Sequence, residues 1–227
     1  MLTIKLVRHG ESEANTGKVS SHEVGDHEIA LSELGHQQAR EAGRQIGRPY
    51  LSGGLVYASP YRRTRQTLED LLDGAGEGGP DLRSEVRVFE DPRLREVEHG
   101  YDPVPPQADL RKRHGWFYYR FRGGESPADC YDRTSSFLES MMRQAERKTT
   151  DRILIVSHGL LIRCFVMRFL HLSVEEFDVL ANPKNGAIVT LGDKTKLPAC
   201  QFTSGNWGVD GLEIRDEEGG EKLTADS

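Results

Sequence analysis

The chain has 227 residues, 36% hydrophobic and 29% charged, with a formal net charge of −6; this length and balance suit one sizeable α/β domain rather than two. No apolar run approaches the roughly 20 residues that cross a bilayer, and the first seven residues lack the basic start and long apolar stretch of a signal peptide, so no membrane role is expected. The acidic balance gives no basic footprint for nucleic acid.

A first strand is expected over residues 2–7. Ser32 can cap a helix reaching about Gly47. A strand over 55–58 is followed by Ser59-Pro60, which opens a helix to about Leu72. Residues 73–80, with four glycines, read as a flexible loop. A strand over 86–89 leads into residues 91–107, where four prolines make an extended connection. Ser126-Pro127-Ala128-Asp129 starts another helix, with a capping box and proline in the first turn. Cys130, Thr134, Phe137, Leu138, Met141 and Ala145 then fall on one face of it. Strands over 153–156 and 187–191 flank a shorter helix capped at Ser173. This alternation predicts an α/β three-layer sandwich: a mostly parallel central sheet, helices on both faces, and a small helical or irregular cap near 101–125. Residues 1–209 form that domain. Residues 210–227, with seven acidic and two basic groups, read as a mobile acidic tail. Cys130, Cys164 and Cys200 form neither a zinc pattern nor a disulfide framework, which points to a reducing, cytoplasmic compartment.

Arg8-His9-Gly10 follows the first strand, and Ser157-His158-Gly159 follows the strand over 153–156. Ligands of open α/β sheets bind outside the carboxyl ends of strands, so these two histidines are expected side by side. Each is followed by glycine, which allows a sharp turn, and helix N-termini beyond them would favour an anion. One Arg-His-Gly triplet means little; two histidines on equivalent strand ends mean more. Ser59-Pro60-Tyr61-Arg62-Arg63-Thr64-Arg65-Gln66-Thr67 brings several guanidinium groups to the same rim, and their forks match phosphate oxygens. Arg62 and Arg65 read equally well as a solvated face.

Taken together, Leu6-Val7-Arg8-His9-Gly10-Glu11-Ser12 with Asn15, Ser59-Pro60 with Arg63 and Thr67, Leu94-Arg95-Glu96 with Gly100, and Val156-Ser157-His158-Gly159 resemble the successive motifs of the histidine phosphatase (phosphoglycerate mutase-like) superfamily. Gly123-Gly124-Glu125-Ser126 with Arg133 is similar to a stretch of its phosphatase branch. The resemblance implies a phosphomonoesterase in which His9 attacks phosphorus. Arg8, Arg63, Asn15, His158 (protonated) and Gly159 would hold the phosphoryl group. Glu96 would protonate the leaving oxygen and needs a raised pKa for it. Glu98 is a rival acid. The contact that relatives place after Asn15 stays open among Thr16, Gly17, Ser20 and Ser21. The resemblance implies no metal and no cofactor. The partner is a small phosphorylated substrate, which could carry a further anionic group; no oligomeric state can be assigned. Phosphoglycerate mutase-type transfer at the same site is the alternative, and a non-catalytic phosphate-binding module a remoter one.

Residues 111–122 hold five basic and five aromatic residues and no acid. They resemble the run that leads into Gly-Glu-Ser in a subgroup of small plant and fungal mutase-like proteins. A lid offering rings and cations to substrate and a packed cap with solvated basic groups are equally good readings. His22, His27 and His36, with Glu23, Asp26 and Glu28, match no metal-ligand spacing and read as an ordinary loop. His99 and His171 have no assigned role.

Overall fold

In a computed structural model that describes residues 1–21, 23–100, 108–200 and 202–215, seven strands form one sheet in the order β3-β2-β4-β1-β5-β7-β6. β1 (Thr3–Arg8) and β4 (Arg152–Ser157) lie in parallel at the centre, β2 (Leu55–Ala58) pairs in parallel with β4, and β3 (Val88–Glu90) pairs in parallel with β2. β5 (Ile188–Asp193) runs antiparallel to β1. The sheet continues into a hairpin of β6 (Phe202–Ser204) and β7 (Trp207–Asp210), two strands with no unbroken apolar run to mark them in the sequence.

The strands read as continuous apolar runs because both faces are covered. Ile4, Leu6, Leu55, Tyr57, Ile153 and Ile155 enter a core with α5 (Pro127–Lys148) and α6 (Gly159–Leu170). Their neighbours Val7, Val56, Ala58, Leu154 and Val156 face α1 (Glu33–Ile46) and α3 (Arg62–Gly76). This period of two divides the core into two halves, one on each side of the sheet. Three shorter helices, α2 (Arg48–Leu51), α4 (Ala108–His114) and α7 (Val174–Val179), complete the α-helices among the described residues, beside three short 3-10 turns. The expected α/β sandwich is the observed fold.

The capping signals hold in detail. Ser32 accepts from the Gly35 N–H, and Ser126–Asp129 and Ser173–Glu176 form reciprocal capping boxes. The 73–80 segment departs from expectation, since α3 continues through Gly76. Gly74 is a packing glycine here: a Cβ on it would lie 2.0 Å from the Arg40 carbonyl oxygen of α1. At the other end, Asp210 closes β7, Leu212 is buried and Ile214 bridges to Leu180; residues 216–227 of the expected tail lie outside the described residues. In the cap, residues 101–107 likewise lie outside them.

Candidate active site

The sheet register creates the site. Val7 pairs with Val156 and Arg8 with Ser157, so His9 and His158 leave neighbouring strands at the same height. Their ring centroids lie 5.2 Å apart, about one strand spacing. Ala58 is level with Val156 on the other side, which brings Ser59 against His158. The Ser59 hydroxyl lies 2.9 Å from His158 Nε2.

His9 is buried, and its Nδ1 lies 2.7 Å from the Gly10 carbonyl oxygen. A carbonyl only accepts, so Nδ1 carries the proton and Nε2 keeps its lone pair. Arg63 Nε lies 3.3 Å from that Nε2. Burial first, then the charges of Arg63 and Arg8, push His9 well below 6.5, so it is a neutral imidazole near neutral pH.

Of the three arginines in the second motif, Arg63 alone turns inward; Arg62 and Arg65 are exposed. Arg63 is held by the carbonyl and carboxylate of Asp26 and by the ring of Tyr61, 5.1 Å from its guanidinium carbon. Tyr61 also meets the His158 ring edge-on at 5.1 Å. Arg8 donates from Nη1 to the Pro183 carbonyl at 2.8 Å. Asn15 Oδ1 accepts from the Ser12 N–H at 2.9 Å and from Asn185 Nδ2 at 3.1 Å, which fixes its carboxamide. Asn185 also donates to the His9 carbonyl at 3.3 Å. The 182–185 segment, which carries no sequence signal of its own, thus braces three of the expected site residues.

His158 is fully buried, and among the described residues its Nδ1 has no hydrogen-bond partner. Burial, followed by the charges of Arg63 and His9, pushes it well below 6.5. The protonated His158 expected from the sequence is therefore not the form this environment favours; a bound phosphate dianion would have to supply the opposing field. For both histidines the folded chain keeps the rings neutral while the unfolded chain takes up protons below about 6.5. Stability is then full above that value and falls as the pH drops through it, by up to about 1.4 kcal/mol per pH unit for each ring. Thermal unfolding followed from about pH 7.5 to 5.5 should show this loss, with a shallower slope in His158→Gln. An unchanged slope would contradict it.

Neither Gly10 nor Gly159 takes a positive φ; the reason for glycine is close approach. A Cβ on Gly10 would lie 2.3 Å from the Gly35 carbonyl oxygen, and one on Gly35 would lie 2.1 Å from that of Glu11. The loop bearing His9 thus rests on the first turn of α1. Helix α6 begins directly after His158, whereas the chain after Gly10 runs on through turns to Leu31, so one helix N-terminus, not two, follows a site histidine directly. Gly35→Ala should lower stability by about 1–3 kcal/mol and displace His9; denaturant unfolding and turnover would both register it.

Glu96 is buried. Its Oε1 accepts from the Val97 N–H at 2.9 Å, and burial outweighs that bond and the charges of Arg63, Arg8 and Arg133 to raise its pKa above 4.5. Glu98 instead turns its Oε1 back to the Gly100 N–H, 3.2 Å away. Arg133 anchors the Glu96 segment by donating to the carbonyls of Arg93 (2.6 Å) and Glu96 (3.1 Å). Glu125 holds Arg133 at 3.1 Å and also pairs with Arg95. The Gly-Glu-Ser stretch and the distant arginine thus act as a brace.

In the cap, Phe117, Tyr119 and Phe121 are buried, and Arg111 lies 3.6 Å over the Trp116 ring. Tyr118, 64% exposed, is the aromatic that faces solvent, along with Lys112, Arg113, Arg120 and Arg122. That is the packed-cap arrangement. His27 is exposed beside Glu28, and His36 bonds Asp70; His22 lies outside the described residues. Among the described residues no group of three or more His, Cys, Asp or Glu could hold a metal ion.

A family model described as the histidine phosphatase superfamily (branch 1) matches residues 4–203. The chain belongs to this superfamily. It is 38% identical to the phosphoglycerate mutase-like protein AT74 of Arabidopsis thaliana, over 82% of this chain and 63% of that protein. The chain therefore spans less than two thirds of that relative. It is 27% identical to the broad-range acid phosphatase DET1 of Saccharomyces cerevisiae, over 83% of this chain and 84% of the relative. A solved mycobacterial glucosyl-3-phosphoglycerate phosphatase superposes with a TM-score of 0.66 at 25% identity, covering 84% of this chain and 89% of that one. The fold thus agrees with that of a solved relative.

Proposed function

We propose that this chain is a metal-independent phosphomonoesterase that acts through a phosphohistidine on His9. The observation that carries the reading is the buried His9 whose Nδ1 proton is committed to the Gly10 carbonyl, leaving Nε2 unprotonated between Arg63 and His158. In the first half-reaction Nε2 bonds to phosphorus, the ester P–O bond breaks, and protonated Glu96 gives its proton to the leaving oxygen. In the second, water attacks phosphorus and the Glu96 carboxylate takes a proton from that water. The P–Nε2 bond breaks with its electron pair returning to His9, and phosphate leaves. Arg8, Arg63, Asn15, His158 and the Gly159 N–H would stabilise the oxygens as charge spreads over them.

Glu96 rather than Glu98 is assigned as the acid because it is buried and feels the charges of Arg8 and Arg63. A small phosphorylated substrate suits a site that Tyr61 borders, against both Arg63 and His158. Among the described residues no helix is long and apolar enough to cross a membrane, and the number and spacing of the cysteines favour the cytoplasm. The test is phosphate release from p-nitrophenyl phosphate in the presence of a chelator, beside isomerisation of 3-phosphoglycerate with and without the bisphosphate primer. Chelator-resistant hydrolysis is expected. Fast, primer-dependent isomerisation with negligible hydrolysis would assign the site to mutase chemistry.

A further inference from the structure

A guanidinium has two hydrogen-bonding edges, a side-on edge formed by Nε–H and one Nη2–H, and an end-on edge formed by Nη1 and Nη2. In Arg63 the side-on edge faces His9, through the 3.3 Å approach of Nε to Nε2. The end-on edge is filled by one residue. Asp26 Oδ1 lies 2.9 Å from Nη1 and Oδ2 3.2 Å from Nη2, and the Asp26 carbonyl accepts a third bond from Nη1 at 2.6 Å. The Arg63 side chain is 4% exposed and that of Asp26 26%, so the guanidinium end of the pair is out of water while the carboxylate is partly open to it. The Tyr61 ring covers the guanidinium as well.

From this geometry we propose that Asp26 is a positioning residue, which locks Arg63 so that its side-on fork points at the place where a phosphoryl group meets His9. The reading rests on Arg63 being a phosphate ligand, as proposed above. Asp26 belongs to a short 3-10 turn, Asp26–Glu28, in the loop between His9 and α1. The Ser12–Leu31 bridge closes that loop at its base, so the carboxylate is delivered by a tethered turn rather than a free end. An arginine with four rotatable side-chain bonds aims poorly alone; a bidentate carboxylate on its far edge fixes both plane and direction. A misplacement of about 1 Å at such a group is enough to lower turnover by about a hundredfold.

The experiment compares the parent with Asp26→Asn, Asp26→Glu, Arg63→Ala and the double variant Asp26→Asn/Arg63→Ala. It measures p-nitrophenyl phosphate kinetics, orthovanadate binding by calorimetry, and the thermal unfolding midpoint. Asp26→Asn should lower kcat by about 10- to 100-fold and weaken vanadate binding by about tenfold, with Asp26→Glu recovering part of both. In the Arg63→Ala background Asp26→Asn should change neither quantity further, because a positioning residue has no effect without the group it positions. A general folding defect would instead lower the midpoint and leave the two losses multiplicative. Unchanged kcat and vanadate affinity in Asp26→Asn, tighter vanadate binding, or multiplicative losses in the double variant would each overturn the proposal. If the parent hydrolyses no ester but its vanadate affinity still depends on Asp26 through Arg63, the phosphatase reading fails while the role of Asp26 stands.

Discussion

His9→Ala should lower phosphomonoester hydrolysis by about 10⁴-fold or more, because it removes the imidazole whose free Nε2 meets the Arg63 fork. The Ser59 hydroxyl also lies against these rings, and it is committed to His158. Folding should survive, since the substitution leaves the Gly10–Gly35 contact untouched and relieves the burial of a titratable ring. The expected pattern is an unfolding midpoint at least as high as the parent's near pH 6, with turnover at background. Residual activity within tenfold of the parent would remove His9 from the mechanism.

Glu96→Gln is the second large effect. For esters of alkyl alcohols, whose leaving oxygen must be protonated, kcat should fall by about 10²- to 10⁴-fold. With p-nitrophenyl phosphate the first half-reaction should suffer much less, because nitrophenolate leaves without a proton. The parent should lose activity on alkyl esters as the pH rises through the elevated Glu96 pKa. It should keep its activity on the acid side until His9, held well below 6.5, becomes protonated. The same shift bears on stability. Because the folded chain holds the Glu96 proton more tightly than the unfolded chain, the stabilising contribution is full below the unfolded value near 4.5 and is lost as the pH rises through the folded one. Gln has no such proton, so Glu96→Gln should raise the unfolding midpoint above neutral pH, and that advantage should vanish in acid. Because both esters share the slowed second half-reaction, the comparison is made on the burst of alcohol or nitrophenol release, which reports the first half-reaction alone. Equal losses there would argue against Glu96 as the proton donor.

Much of this site could be read from the letters because its main groups sit at strand ends. Apolar runs locate β1, β2 and β4, and in a parallel sheet the residues just past their carboxyl ends share one rim; Arg8, His9, Ser59 and His158 follow from that rule. Arg63 and Glu96 were reached by resemblance alone, since nothing in their spacing distinguishes Arg63 from Arg62 or Glu96 from Glu98. The structure separates each pair by burial. Asp26, Asn185 and the Pro183 carbonyl could not be found, because their work is to orient other groups across long sequence distances. Local pattern carries no record of such contacts. The hairpin of β6 and β7 escaped for a different reason: Phe202-Thr203-Ser204 and Trp207-Gly208-Val209-Asp210 hold no unbroken apolar run of the kind that marks β2. Glycine gave a correct signal with the wrong cause. Gly10 was expected to turn the chain and instead lets it touch α1.

The central claim is that one imidazole carries the phosphoryl group. Mixing the protein with a fast-turning phosphomonoester, quenching within milliseconds in alkali and mapping the modified peptide by mass spectrometry tests this directly. An alkali-stable, acid-labile phosphoryl group on His9 is the result expected, absent in His9→Ala and accumulating when Glu96→Gln slows its hydrolysis. A phosphoryl group on Ser59 or His158, or full hydrolysis with no label on His9, would contradict it.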